Sequence, residues 1–162
     1  MALVTSPKTI PDLDYEYHTI TIDSIGQLSA NAFTCHIQQP LRNVVQAKLL
    51  AAHINSNVTT KHCYVSIEEL DSIFSDRASN VLTGQASMSV LRGSFASIIT
   101  SGSALISFKD EYTIATQYVD PIRRIDRLAV TIRDQDGIPI VPSIPATDNF
   151  LVLGFVCRKP NL

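Results

Sequence analysis

Four histidines, three cysteines and a cluster of arginines are the side chains of this sequence with the most chemistry to offer. His18, His36, His53 and His62 stand at no metal-binding spacing and have no nearby ligand partner in sequence, so they read as packed or surface strand residues. Cys35, Cys63 and Cys157 are odd in number, widely spaced and without a CxxC pair. That excludes both a zinc knuckle and a dense disulfide framework, and it predicts reduced, structural thiols in apolar settings. Arg123, Arg124 and Arg127 could hold a phosphate, but Asp120 and Asp126 interleave with them and predict local ion pairing instead. Tyr15, Tyr17, Phe33 and Tyr64 could stack on a sugar. With no tryptophan in the chain, aromatic core packing is the reading we take for them. No GxSxG, P-loop, GxGxxG or HExxH motif occurs. These residues predict a non-catalytic structural or binding domain with no catalytic, cofactor-binding or metal site and no cofactor.

The elements that carry these residues are mostly short strands. Residues 1 to 14 include Pro7 and Pro11, lack periodicity, and read as an extended arm ahead of one domain over residues 15 to 162. Alternation begins at Tyr17, Thr19 and Thr21 against His18, Ile20 and Ile22. It resumes with Phe33, Cys35 and Ile37, up to Pro40. The stretch RNVVQAKLLAAHI, residues 42 to 54, fits two templates. As a helix it buries Ala47, Leu50, Ala51 and Ile54. As a strand it presents Val45, Ala47, Leu49 and Ala51, with Leu41-Arg42-Asn43 as the loop of a hairpin.

One short helix is predicted further on. Ser66 and Glu69 have capping-box spacing, Glu68, Glu69 and Asp71 suit the positive end of a helix dipole, and Ile67, Leu70, Ile73 and Phe74 make a stripe. Residues 75 to 94 are polar and read as a long loop. SFASIIT and SALISF flank Ser101-Gly102 as a hairpin signal. YTIATQYV ends at Asp120-Pro121. RLAVTIRD faces Leu128, Val130 and Ile132 one way, then Gln135-Asp136-Gly137 turns the chain towards IPIV, and FLVLGFVC is apolar on both faces. Many short strands with turn signals predict an antiparallel β-sandwich.

Composition narrows the function classes. The 162 residues are 45% hydrophobic and 17% charged, with a net charge of −2. A chain this long buries roughly 70% of its unfolded surface and folds without staples. The charge gives no case for wrapping nucleic acid. No basic, apolar leader opens the sequence and no run reaches a membrane span, which predicts a soluble protein of a reducing compartment. Without a secretory route the sequon Asn57-Val58-Thr59 carries no weight.

Several stretches, in order, resemble the single jelly-roll penton and minor capsid proteins of large double-stranded DNA viruses and virophages. They are YHTITIDS as an opening strand, FTCHIQQPLRNVVQAKLLAAHI next, then DPIRRIDRLAVTIRDQDGIPI and DNFLVLGFV at the close. Ile25-Gly26-Gln27 and His53-Ile54-Asn55 depart from that pattern. The resemblance implies that residues 42 to 54 are a strand, and that the fold is an all-β single jelly roll with one short helix. It further implies a viral capsid protein of the virion, assembled in host cytoplasm, forming a homopentameric vertex or a minor component. Its partners would then be itself and other capsid proteins such as the major capsid protein, with no nucleic acid bound directly. The alternative is a receptor- or glycan-binding jelly roll; a cupin-like enzyme would need a histidine-rich metal motif.

Overall fold

A computed structural model describes residues 14–71, 81–82, 85–86, 94–109, 115–143 and 147–160. Their elements are β1 (Tyr15–Asp23), β2 (Ala32–Asn55), β3 (His62–Ile67), β4 (Val81–Leu82), β5 (Gln85–Ala86), β6 (Ala96–Ile99), β7 (Leu105–Lys109), β8 (Thr116–Arg133) and β9 (Phe150–Arg158). The protein is all-β and antiparallel throughout, and no helix occurs among the described residues. Seven strands form one sheet in the order β1-β9-β2-β8-β3-β6, with β7 also on β2; β4 and β5 make a separate two-stranded ladder. The predicted arm, residues 1 to 14, lies outside the described residues except for Asp14.

Two long strands make the sheet curl. β2 pairs with β8 from Ala32 to Ala47, and with β9 from Val44 to His53. Its last five residues, Ala51–Asn55, pair with β7. The β2–β8 ribbon slips register twice. Residues 37–40 of β2 bulge opposite Ile125–Arg127, and residues 118–121 of β8 bulge opposite Val44–Gln46. Pro40 and Pro121 sit in these two bulges, where a missing N–H breaks no ladder bond. Asn43 adopts φ 51°, the left-handed conformation that asparagine tolerates, between the two slips.

The core lies on the inner side of this curl. β9 sends Leu151, Leu153, Phe155 and Cys157 inward, β8 sends Ile125, Leu128, Val130 and Ile132, and β3 sends Cys63, Val65 and Ile67. Strict alternation explains β9 and the end of β8. β2 differs: its buried residues are Val44, Ala47, Leu49, Ala52 and Ile54. The three-residue steps fall where β2 slips register against β9, between Val44 and Gln46 and between Leu49 and Ala51. Residues 42 to 54 are therefore a strand whose two bulges imitate a helical spacing.

Four expectations are corrected. Ser66 is the penultimate residue of β3, not a helix cap, and residues 68–70 form a turn. Its hydroxyl donates to Asp71, whose carboxylate also accepts from the Ile67 N–H at 2.8 Å. Glu69 turns away to accept from the Ala129 N–H at 2.8 Å, so the capping-box residues serve a strand-to-turn junction. Ile73 and Phe74 lie outside the described residues. Second, Leu41-Arg42-Asn43 is no hairpin loop, because Leu41 and Arg42 stay in register with Ile125 and Arg124. Third, β6 and β7 are strands but not a hairpin; β6 joins β3 and β7 joins β2. Gly102 does turn the chain, at φ 75°, but the link is tied to the 56–61 loop through Thr100 N–H to Lys61 O and Ser56 N–H to Ala104 O. Fourth, the strand does not stop at Asp120-Pro121, which the bulge absorbs.

Candidate docking surface

The chemistry-bearing residues do not converge on one centre. His18 lies 3.3 Å from Glu16, His53 meets Phe150 edge-on at 6.1 Å, and His62 stacks on Tyr64 at 4.4 Å. His36 pairs with Arg127 across the ladder. Among the described residues no group of three or more His, Cys, Asp or Glu is placed to hold a metal ion. All three cysteines are free. Burial pushes the Cys63 thiol up to about 12, with the nearby Asp134 charge adding to it. It also raises Cys157 and Cys35, and the Cys35 S–H donates to Asp23 O at 3.1 Å. Thiols held protonated are poor nucleophiles.

The arginines divide. Arg124 Nε is 3.3 Å from Asp126, and Arg127 Nε is 3.3 Å from Glu69 Oε1, an ion-pair contact off hydrogen-bond geometry. Arg42, which sequence order hid, stands directly opposite Arg124. Both ion pairs are more than half exposed on the arginine side and contribute little.

The aromatic residues also divide, and here one expectation fails. Phe33 and Tyr64 are core residues, as expected. Tyr15 and Tyr17 are surface residues, Tyr17 with 64% of its area exposed. Ile20 and Ile22 face the core, so the odd-numbered residues of β1 point outwards. Tyr17, Val156, Gln46 and Gln117 fall in one register row across β1, β9, β2 and β8. Around this row lies an open depression of about 420 Å³, completed by Tyr15, Val45, Tyr118 and Val119. The β8 bulge shapes its far wall. It lifts Val119 to 92% exposure and turns Tyr118 inward, where its hydroxyl donates to Leu70 O at 2.7 Å. Burial accordingly raises the Tyr118 hydroxyl pKa, with Asp71 adding to it.

A second recess, about 610 Å³, separates β1 from the first half of β2. Ile20, Cys35, Ile37 and Leu41 line its apolar side, and His18 and His36 its polar side. Among the described residues, no strand pairs with either of them across this gap.

No protein-family model matches the chain, and a search of curated proteins finds no match. The functional reading therefore stands on the geometry and on the sequence resemblance.

Proposed function

We propose that this chain is a non-catalytic capsid building block with a single jelly-roll sandwich, acting as a pentameric vertex or as a minor component between larger capsid proteins. The observation that carries the reading is the pairing order. One four-strand run is β1-β9-β2-β7, using the second half of β2; the other is β2-β8-β3-β6, using the first half. Two four-strand runs joined through one long, bent strand, β2, suit a jelly roll. The ordered resemblance of β1, β2, β8 and β9 to capsid proteins supports the same conclusion. A cyclic assembly needs two different, complementary surfaces on each protomer, not a reaction centre.

Mass photometry of the purified chain tests this directly. Closed rings, with five copies the expected number, support the proposal; a chain that stays monomeric at high concentration and is missing from virions overturns it. The glycan-binding alternative rests on the Tyr15, Tyr17, Gln46 and Gln117 surface, since rings and amides are the groups that hold sugars. A glycan array separates the two.

A further inference from the structure

We infer that the outer face of the β2–β8 ribbon binds a sulfated polysaccharide through two rows of basic side chains. This goes beyond the capsid reading and does not depend on it. Leu41 and Ile125 are buried partners in the ladder, so one register step along, Arg42 and Arg124 stand opposite each other on the outer face. His36 and Arg127 form a second row, next to Cys35 and Leu128, which face the core. All four basic residues are exposed. The rows lie about 10 Å apart, three residues along β8.

An arginine directly opposite an arginine destabilises a ladder, because like charges are held one cross-strand spacing apart. The carboxylates nearby relieve this only in part. Asp126 lies 3.3 Å from Arg124 Nε, and Glu69 lies 3.3 Å from Arg127 Nε. Arg42 and the exposed Arg123 have no ion pair among the described residues. An oxyanion seated between Arg42 and Arg124 would accept from both guanidinium forks and turn their repulsion into attraction.

The rest of the face narrows the ligand. None of the large apolar side chains exposed among the described residues falls within residues 32–42 or 122–133. A single nucleic-acid strand needs rings on which its bases stack, and a duplex needs a wider basic surface. A protein partner needs apolar anchors, and a lipid surface needs apolar side chains to insert. The ribbon offers hydroxyls instead: Thr34 and Thr131 point the same way as His36, by alternation with Phe33 and Ile132. Gln38 and Gln39 are exposed on the bulge that separates the two rows. Guanidinium, amide and hydroxyl groups together suit a polymer of sulfates and sugar hydroxyls. The chain as a whole carries −2, so its attraction for such a polymer is confined to this face.

Calorimetric titration of the full-length chain with a short heparin oligosaccharide, at about 0.15 M salt, tests this. Binding is expected, and it should fade at higher salt as the charges are screened. Arg42→Thr and Arg124→Thr should each weaken it about tenfold, the loss of one charge-assisted fork. Arg158→Thr removes the same charge from an exposed site on β9 and should change affinity by less than about twofold. Arg42→Thr ends a like-charge pair, so it should melt no lower than the native chain, which separates weaker binding from unfolding. No binding, equal binding of desulfated heparin, or an equal loss in Arg158→Thr overturns the inference. Equal binding of single-stranded DNA or polyglutamate overturns it too, since any polyanion would then serve. None of these results touches the capsid proposal, because the short oligosaccharide reads one chain at a time.

Discussion

The connection between β1 and β2 and the tyrosine depression are built on opposite rules. At the first, Asn149 is fully buried yet every group is used. Its Nδ2 donates to Ala30 O at 2.8 Å and to Asn31 Oδ1 at 2.7 Å, and its Oδ1 accepts from Asn55 N–H at 2.7 Å. Its own N–H donates to the Ser24 hydroxyl at 2.9 Å, and its carbonyl accepts from Ser24 N–H at 3.1 Å. Asn31 in turn donates to Ile140 O. Four separate chain segments are locked by one polar cluster out of water. At the depression the reverse holds: Tyr17 and Val119 leave apolar area in water where burial would stabilise it. A satisfied buried network fixes a single fold. Apolar side chains exposed at a surface hollow stabilise nothing until something covers them.

The largest effect expected on stability therefore comes from Asn149→Ala. It leaves the Asn31 Oδ1 unpartnered at a buried site, and the Asn55 N–H and Ala30 carbonyl at part-buried ones, at about 1–3 kcal/mol each. Urea unfolding should show a loss of about 3–5 kcal/mol. A loss below about 1 kcal/mol would mean that the cluster is wet and the comparison false.

Alkaline pH should come next. Cys63 is raised from 9.0 to about 12, and Cys35, Cys157 and Tyr118 are raised as well. A raised folded-state pKa means the unfolded chain loses its proton first. The stability these groups contribute is thus fully present below about pH 9 and is lost as pH climbs towards 12. Melting temperatures should be flat to about pH 9 and then fall, less steeply in Cys63→Ala. At pH 8 native Cys63 should resist iodoacetamide, whereas the denatured, unreduced chain should titrate with three free thiols. Fast labelling of native Cys63 would contradict its burial.

Glu69→Ala should cost about 1–2 kcal/mol, because the Ala129 N–H on β8 loses its carboxylate acceptor. Glu69→Gln should recover most of this, since an amide oxygen can accept the same bond while the exposed Arg127 partner matters little. Equal losses in the two variants would show that the charge, not the acceptor, holds the turn to β8.

How legible these features were depended on whether one strand or two decided them. β1 and β9 were plain, because each alternates without interruption and β9 is covered on both edges. Residues 42 to 54 were ambiguous for a physical reason: bulges at two points shift the buried phase, and no single period describes Val44, Ala47, Leu49, Ala52 and Ile54. Ser66 and Glu69 misled because short polar side chains satisfy free N–H groups at a strand-to-turn junction as well as at a helix start. The turn at Gly102 was real, yet a turn signal cannot say which strands its flanks will join. The absence of a catalytic motif was legible at once. The depression was not, since Tyr17, Val156, Gln46 and Gln117 are neighbours only through three ladders. Alternation against Ile20 and Ile22 was the one signal that put Tyr17 on the outer face.

The smallest effect on stability, and the one that sharpens the comparison most, belongs to Tyr17→Ala and Val119→Asp. Both side chains are largely in water, so each change should move unfolding by no more than about 0.5 kcal/mol. Val119 stands on a bulge with 92% of its area exposed, so a carboxylate there disturbs no ladder bond and buries no charge. If the depression is covered by a neighbour, the same carboxylate would have to lose its water when the contact forms, a cost of several kcal/mol for an unpaired ion. Ring formation should then disappear in Val119→Asp and weaken in Tyr17→Ala, with urea midpoints of the isolated chains unchanged. Mass photometry and unfolding curves on the same samples read the two quantities separately. Rings that survive Val119→Asp would show that the hollow is not a contact, and the subunit interface would have to be sought on another face, with the recess between β1 and the first half of β2 the first place to look.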